Sequence, residues 1–143
     1  MISTRHASVA SRRRLVATVI ASSALLVAAG SLSAASDTVE IEDNNGTHTL
    51  AVPPQSVVAL DNRTFQLLAD WDIELSAAAV SLMSAGLPYV GDDSVVDIGN
   101  HREPNLELIV AAEPDLVING QRFWDIQGDI ESLVPDAVVL NLE

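Results

Sequence analysis

Residues 98–122 read IGNHREPNLELIVAAEPDLVINGQR and contain the parts of one strand–helix–strand step. The segment begins at the end of an apolar run, which Gly-Asn then breaks. Pro104 favours the first residue of a helix, because the N–H that proline lacks has no partner at that position. Apolar residues of 106–110 recur at helical spacing, and Glu-Pro at 113–114 ends the helix. Residues 116–118 form an uninterrupted apolar run, which is typical of a buried parallel strand.

The same alternation of strand and helix runs through the rest of the chain. Residues 37–52 predict a β-hairpin with an Asn45-Gly46 turn. Further strands are expected at 57–60, 73–80, 95–98 and 137–140, and further helices at 64–71 and 124–133. We therefore expect an α/β fold in which a mainly parallel sheet carries helices on both faces and is preceded by the hairpin.

The composition excludes several kinds of site and partner. The chain has no cysteine, which excludes disulfide bonds and thiolate metal sites. From residue 36 to residue 143 there are three arginines, no lysine and 20 acidic residues, which leaves a formal charge of −17. Nucleic acid is not expected as a partner, because its binding depends on cations that neutralise phosphates.

Residues 1–35 have the features of an export signal. Four arginines precede an apolar run at 15–29, and Ser33-x-Ala35 fits a cleavage site. The segment 11–16, SRRRLV, resembles a twin-arginine signal, and an ordinary Sec signal is the equal alternative. An uncleaved membrane anchor is a weaker alternative, because the run is short and contains serine. The sequence predicts an exported protein, in the periplasm or on the outer face of the cytoplasmic membrane.

Motifs of common catalytic sites do not occur in the sequence. It contains neither the G-x-S-x-G elbow of hydrolases nor a glycine-rich phosphate loop. Two histidines follow the signal, His48 and His101, which are too few for a directly bound transition metal. The sequence therefore predicts a protein that is not an enzyme and that holds no cofactor or metal of its own.

Three arginines follow the signal, and each comes a few residues after a predicted strand. They are Arg63, Arg102 and Arg122. Because the carboxyl ends of parallel strands share one edge of a sheet, we expect a local positive site there. Guanidinium groups suit carboxylates, catecholate oxygens and other planar anions. The alternative is that each arginine only neutralises a nearby acid such as Asp61, Glu103 or Asp125.

Two motifs carry a resemblance to the N-terminal lobe of periplasmic binding proteins for iron–siderophore and vitamin B12 uptake. They are Gly99 with Glu103-Pro104-Asn105-Leu106-Glu107, and then Glu113-Pro114-Asp115-Leu116-Val117-Ile118. The family pattern is roughly G-x-x-x-E-P-N-L-E-x-I followed by K-P-D-L-I-I, and Glu113 stands here in place of the usual lysine. The resemblance extends from about residue 52 to residue 142. Gly120-Gln121-Arg122 is most similar to the branch that takes up ferric catecholate-type siderophores.

The resemblance implies a binding protein that delivers a ferric siderophore, of the catecholate type, to an ABC importer. Residues 36–143 are then the N-terminal lobe, and a C-terminal lobe joined by a long helix is missing from this sequence. No cofactor is implied, and contact with the membrane is expected only through the permease or an uncleaved signal. The lipobox cysteine of many relatives is replaced by Ala35, so that route of lipid anchoring is not expected.

Seven residues are candidates for roles in such a binding protein. Ligand contacts are expected from Arg122, Arg102, Arg63, Tyr89 and His101. For the tyrosine the alternative is a packing role, and for the histidine it is a solvated loop position. Permease docking is expected from Glu107 and Glu103, which match the family's N-L-E and E-P glutamates. The alternative is that both acids are favoured only by the positive end of the helix dipole.

The sequence is also compatible with a protein of a different functional class. The chain is also consistent with a stand-alone exported α/β domain that acts as a small hydrolase or a protein-interaction module. A downstream coding segment with a long helix and further strand–helix–strand steps would favour the binding protein.

Overall fold

The structure is a computed structural model that describes residues 37–142. The predicted export signal at 1–35 lies outside these residues. Within the described part of the chain, no helix is long and apolar enough to cross a membrane.

Nine strands and three α-helices make up the described chain. The strands are β1 Asp37–Asp43, β2 Gly46–Val52, β3 Val57–Ala59, β4 Ala77–Ala78, β5 Val96–Asp97, β6 Gly99–Asn100, β7 Glu103–Pro104, β8 Leu116–Gly120 and β9 Val138–Leu142. The helices are α1 Phe65–Asp70, α2 Leu106–Ala111 and α3 Gln127–Leu133, with short 3₁₀ helices at Val80–Leu82 and Gln121–Ile126.

Five of the strands form one parallel sheet in the order β5-β4-β3-β8-β9. All residues of β3 and β8 are buried, as expected for central strands that helices cover on both faces. The chain moves from β3 through β4 to β5 in one direction and then returns to β8 on the other side of β3. Because such crossovers are right-handed, α1 lies on one face of the sheet, and α2 and α3, which contact each other, lie on the opposite face. The expected fold class is confirmed.

The core fills the two spaces between sheet and helices. Its largest fully buried side chains include Phe65 of α1, Ile109 of α2, Ile130 of α3 and Phe123 of the second 3₁₀ helix. Each helix thus buries one apolar face against the sheet, which fixes the loops that leave the strands.

The N-terminal hairpin pairs β1 with β2, and its turn is one residue earlier than the sequence predicts. Asp43 lies opposite Gly46, so Asn44 and Asn45 form the two-residue turn. The Oδ1 atom of Asp43 accepts hydrogen bonds from the N–H groups of Asn45 at 2.8 Å and Gly46 at 3.1 Å. These bonds stabilise the turn and account for the shifted position.

The start of α2 also differs from the prediction. Pro104 is part of β7, which pairs with β6 in a small antiparallel ladder that the sequence does not predict. Asn105 is the N-cap, and its side-chain oxygen accepts from the N–H groups of Glu107 at 3.1 Å and Leu108 at 3.3 Å. Two satisfied N–H groups favour a helix that begins at Leu106 rather than at the proline.

Three other boundaries are corrected. The strand expected over 73–80 shortens to β4, because the N–H of Ile73 bonds to Leu68 O and completes the end of α1. The helix expected from residue 124 begins at Gln127, after the 3₁₀ helix. Thr64 precedes α1, but its hydroxyl donates to the carbonyl of Asp61 at 2.8 Å and does not cap the helix.

Candidate ligand-binding site

The candidate site lies where the strand order of the parallel sheet reverses. Strands β3 and β8 are neighbours in the sheet, but the chain continues from β3 to β4 on one side and from β8 to β9 on the other. Ligands of open α/β sheets bind in the crevice at such a point. The residues just after β3 and β8 line a depression of about 440 Å³, and they are Asp61, Asn62, Arg63, Gln121 and Arg122.

Asp61 and Arg63 form a fixed ion pair on one side of the depression. Asp61 is 4% exposed, and its carboxylate accepts from the Arg63 N–H at 3.0 Å and from the guanidinium at 3.0–3.1 Å. These hydrogen bonds, together with the charge of Asp61, raise the pKa of Arg63. The guanidinium also donates to the carbonyl of Leu142, so it connects the exit of β3 to the end of β9. Much of the Arg63 charge is therefore matched by Asp61.

Arg122 is held differently. Its Nε donates to the Oδ1 atom of Asn62 at 3.2 Å, which joins the two loops through a neutral amide. Among the described residues, the ion pairs are His48 with Asp43 and Arg63 with Asp61, so Arg122 has no acidic partner there. Its positive charge is exposed at the depression.

Arg102 and His101 form the turn of the small β6–β7 ladder. The Arg102 N–H donates to the Oδ1 atom of Asn100 at 2.9 Å, and the side chain is exposed. The His101 ring meets the Phe123 ring edge to face, with centroids 6.5 Å apart. Because Phe123 directly follows Arg122, this contact brings the turn next to the segment that leaves β8. The Nδ1 atom of His101 is buried and has no hydrogen-bond partner among the described residues.

Tyr89 lies elsewhere. It is 6% exposed, and its hydroxyl donates to Ile73 O at 2.7 Å. Burial, followed by the charge of Asp72, raises the pKa of Tyr89. It lines a cavity of about 720 Å³ with residues such as Gln55 and Ser76, which precede β3 and β4 at the amino edge of the sheet. The structure does not bring Tyr89 together with the three arginines.

Glu103 and Glu107 share one surface. Both are exposed and line a shallow depression with the intervening residues of β7 and the start of α2. Glu107 lies in the first turn of α2, where the helix dipole favours an acid whatever its other role. The geometry is compatible with docking and with the dipole alternative.

Sequence reasoning did not single out Asn62 and Gln121 as parts of the site. Both come directly beside an arginine in a strand-exit loop, which is the signal that would have found them. A Cβ at Gly120 would lie 2.6 Å from Cβ and Cγ of Asp61, so this position leaves room for the buried carboxylate.

The chain belongs to the periplasmic binding protein family. The sequence model of that family, described as "Periplasmic binding protein", matches residues 57–143. The resemblance drawn from the 98–122 segment is thereby confirmed.

Solved structures share the fold. The petrobactin-binding protein YclQ from Bacillus subtilis has a TM-score of 0.66 at 17% identity over 75% of this chain and 38% of that chain. The siderophore-binding protein BauB, bound to ferric iron and acinetobactin, has a TM-score of 0.64 at 21% identity over 73% of this chain and 36% of that chain. The periplasmic catecholate-siderophore-binding protein VctP from Vibrio cholerae has a TM-score of 0.58 at 25% identity over 73% of this chain and 37% of that chain. This chain spans little more than a third of the length of each.

Proposed function

We propose that this chain supplies one lobe of an exported protein that binds a ferric siderophore, of the catecholate type, and delivers it to an ABC permease. The observation that carries the proposal is Arg122, which stands at the strand-order reversal, held by a neutral amide and without an acidic partner in the described chain. The proposed protein is not an enzyme, since binding and release are its whole task.

The charge of the site supports an anionic ligand. A ferric catecholate carries negative charge on the oxygens that the chelator already supplies to the iron, so the protein needs to supply cations and a shaped wall. Arg122 offers a positive charge in an otherwise very acidic chain, and Arg63 presents a guanidinium that Asp61 holds in one orientation. Arg102 and His101, in the turn beside Phe123, extend the proposed site.

The relatives support the same ligand class. VctP is named for catecholate siderophores, BauB for siderophore binding and YclQ for petrobactin binding. By analogy, we propose that residues 36–143 form the N-terminal lobe, that a second lobe closes over the ligand, and that residues 1–35 are an export signal.

Delivery to a permease is the second part of the proposal. Glu103 and Glu107 are exposed on one surface at the start of α2, where they are available to pair with cations of a partner. Charged groups at the rim of an interface act mainly on encounter and orientation. We therefore assign these two acids to docking and the arginines to the ligand.

The test of the ligand site is titration calorimetry of the full chain with the iron(III) complex of 2,3-dihydroxybenzoate. We expect Arg122→Ala to weaken binding roughly ten- to a hundredfold, because a charge-assisted hydrogen bond contributes about 1.5–3 kcal/mol. Ala111→Glu is the control, since it adds the same negative charge at the exposed far end of α2. Equal affinities of the wild type and Arg122→Ala would refute the site, and binding of neither protein at millimolar concentration would refute the ligand class for this chain.

A further inference from the structure

The chain has two tryptophans, and both are largely exposed. Trp71 is 64% exposed and Trp124 is 50% exposed, while Phe65 and Phe123 are buried in the core. A large aromatic ring that stays exposed to solvent does not gain much of the favourable free energy that its burial would provide. A half-exposed tryptophan next to a candidate site is therefore a candidate for contact with a ligand.

Trp124 is positioned by the 3₁₀ helix that follows β8. This helix, Gln121–Ile126, has three residues per turn, so the side chains of Gln121 and Trp124 project from the same side. Gln121 lines the depression at the strand-order reversal. The intervening Phe123 points into the core, where it is 1% exposed, and its burial fixes the rotation of the helix. In this geometry we expect Trp124 one helical turn beyond Gln121, next to the residues that line the depression.

Trp71 provides an internal comparison. It is the C-cap of α1, which starts after the carboxyl end of β3 and runs back towards the amino edge of the sheet. Its neighbour Asp72 lines the cavity at that edge, together with Gln55 and Ser76. The two exposed tryptophans therefore lie at opposite ends of the sheet.

We infer that Trp124 is an aromatic wall of the ligand crevice and that it selects ligands with aromatic rings. This inference rests on the proposed function and deepens it. Aromatic rings attract each other in offset-stacked or edge-to-face arrangements, and Arg122, two residues earlier, supplies the charge that faces the chelating oxygens. The pair thus matches the two features of an iron-bound catecholate, a planar ring and adjacent anionic oxygens.

The experiment measures the dissociation constants of two iron(III) complexes by calorimetry on the full chain. One complex is that of 2,3-dihydroxybenzoate, and the other is that of desferrioxamine, which has no aromatic ring. The variants are Trp124→Leu, which keeps apolar bulk without the ring, Trp124→Phe, which keeps a ring, and Trp71→Leu as the matched control. Circular dichroism and urea unfolding verify the fold of each variant.

We expect Trp124→Leu to weaken binding of the dihydroxybenzoate complex by about two- to tenfold, the range of an aromatic pair. Trp124→Phe should retain most of the affinity, and Trp71→Leu should retain all of it. The preference for the dihydroxybenzoate complex over the desferrioxamine complex should fall only in Trp124→Leu. An unchanged affinity in Trp124→Leu, or an equal loss for both complexes, overturns the inference. If Arg122→Ala still loses binding in that case, the proposed function stands; if the wild type binds neither complex, the proposed function itself fails.

Discussion

Gly120 leaves the space that the carboxylate of Asp61 occupies. A Cβ at Gly120 would lie 2.6 Å from Cβ and Cγ of Asp61 and 2.9 Å from its Oδ1. The last residue of β8 and the second residue after β3 are thus packed against each other, and this contact fixes the distance between the two loops of the candidate site. Asp61 in turn orients Arg63, so one glycine determines the geometry of one side of the crevice.

Gly120→Ala is therefore expected to displace Asp61 and to destabilise the chain by about 1–3 kcal/mol, the usual cost of overpacking. Urea unfolding measures this difference. Gly128→Ala is the matched control, because a Cβ at Gly128 in α3 meets nothing within 4 Å. Alanine has a higher helix propensity than glycine, so the control substitution should be neutral or stabilising by up to about 1 kcal/mol. Equal stabilities of the two variants would contradict the packing argument.

A second prediction concerns acid and the N-terminal hairpin. Burial tends to raise the pKa of Asp43, but hydrogen bonds from the Asn141 N–H, the His48 ring and the Asn45 N–H outweigh it and lower the pKa. A lowered native pKa means that ionised Asp43 stabilises the fold above the unfolded pKa of about 3.9. This contribution is lost as pH falls through the native pKa.

Asp43→Asn should thus reduce the free energy of unfolding at pH 7 by about 1–3 kcal/mol, because the N–H groups of Asn141 and of the turn lose a charged acceptor. At pH 3 the difference from wild type should shrink. Urea unfolding at both pH values measures it, with Glu40→Gln, an exposed acid on the same strand, as the control. A difference that is equal at both pH values would show that the charge of Asp43 does not contribute.

Much of the fold could be predicted because each of its two central strands contains a short apolar run. Val57–Ala59 and Leu116–Gly120 are buried on both faces, and such strands are visible as short apolar runs. β4 has only the two residues Ala77 and Ala78, and nothing local distinguishes it from the apolar residues that surround it. The choice between Pro104 and Asn105 at the start of α2 depended on whether the asparagine side chain reaches two N–H groups, which is a matter of three-dimensional geometry.

The edge of the sheet at which the site lies could also be predicted, but the contacts between the side chains of the site could not. Each arginine follows a strand in the sequence, which places it near one edge of a parallel sheet. Arg122 meets Asn62 only because β3 and β8 are neighbours in the strand order, a relation between segments about 60 residues apart in the chain. Tyr89 was proposed from its type alone, and the structure places it at the amino edge with its hydroxyl on Ile73.

The proposed docking role of Glu107 can be tested separately from its effect on the helix. Glu107→Ala should reduce siderophore uptake in cells that carry the permease, while the affinity for the ferric complex stays unchanged. Asp129→Ala is the control, because Asp129 is an exposed acid in the first turn of α3 and loses the same dipole interaction of about 0.3–1 kcal/mol. Unchanged uptake for both Glu107→Ala and Glu103→Ala would exclude these acids as the docking site.

We expect Asn62 to determine how much of the Arg122 charge is available to a ligand. In the wild type, the neutral Oδ1 of Asn62 accepts from Arg122 Nε at 3.2 Å and leaves the positive charge uncompensated. Asn62→Ala removes the orienting bond but keeps the charge, so we expect a loss of affinity of about two- to tenfold. Asn62→Asp puts a carboxylate at the same place, which pairs with Arg122 and also repels an anionic ligand.

The affinity for the iron(III) complex of 2,3-dihydroxybenzoate should therefore fall in the order wild type, Asn62→Ala, Asn62→Asp. Repeating the titrations at higher salt should bring Asn62→Asp closer to Asn62→Ala, because salt screens the repulsion between exposed charges. In the Arg122→Ala background, Asn62→Ala should have little further effect, since the bond that it removes is already absent. If Asn62→Asp binds as tightly as wild type, the ligand does not meet the charge of Arg122, and the assignment of this crevice to an anionic complex is wrong.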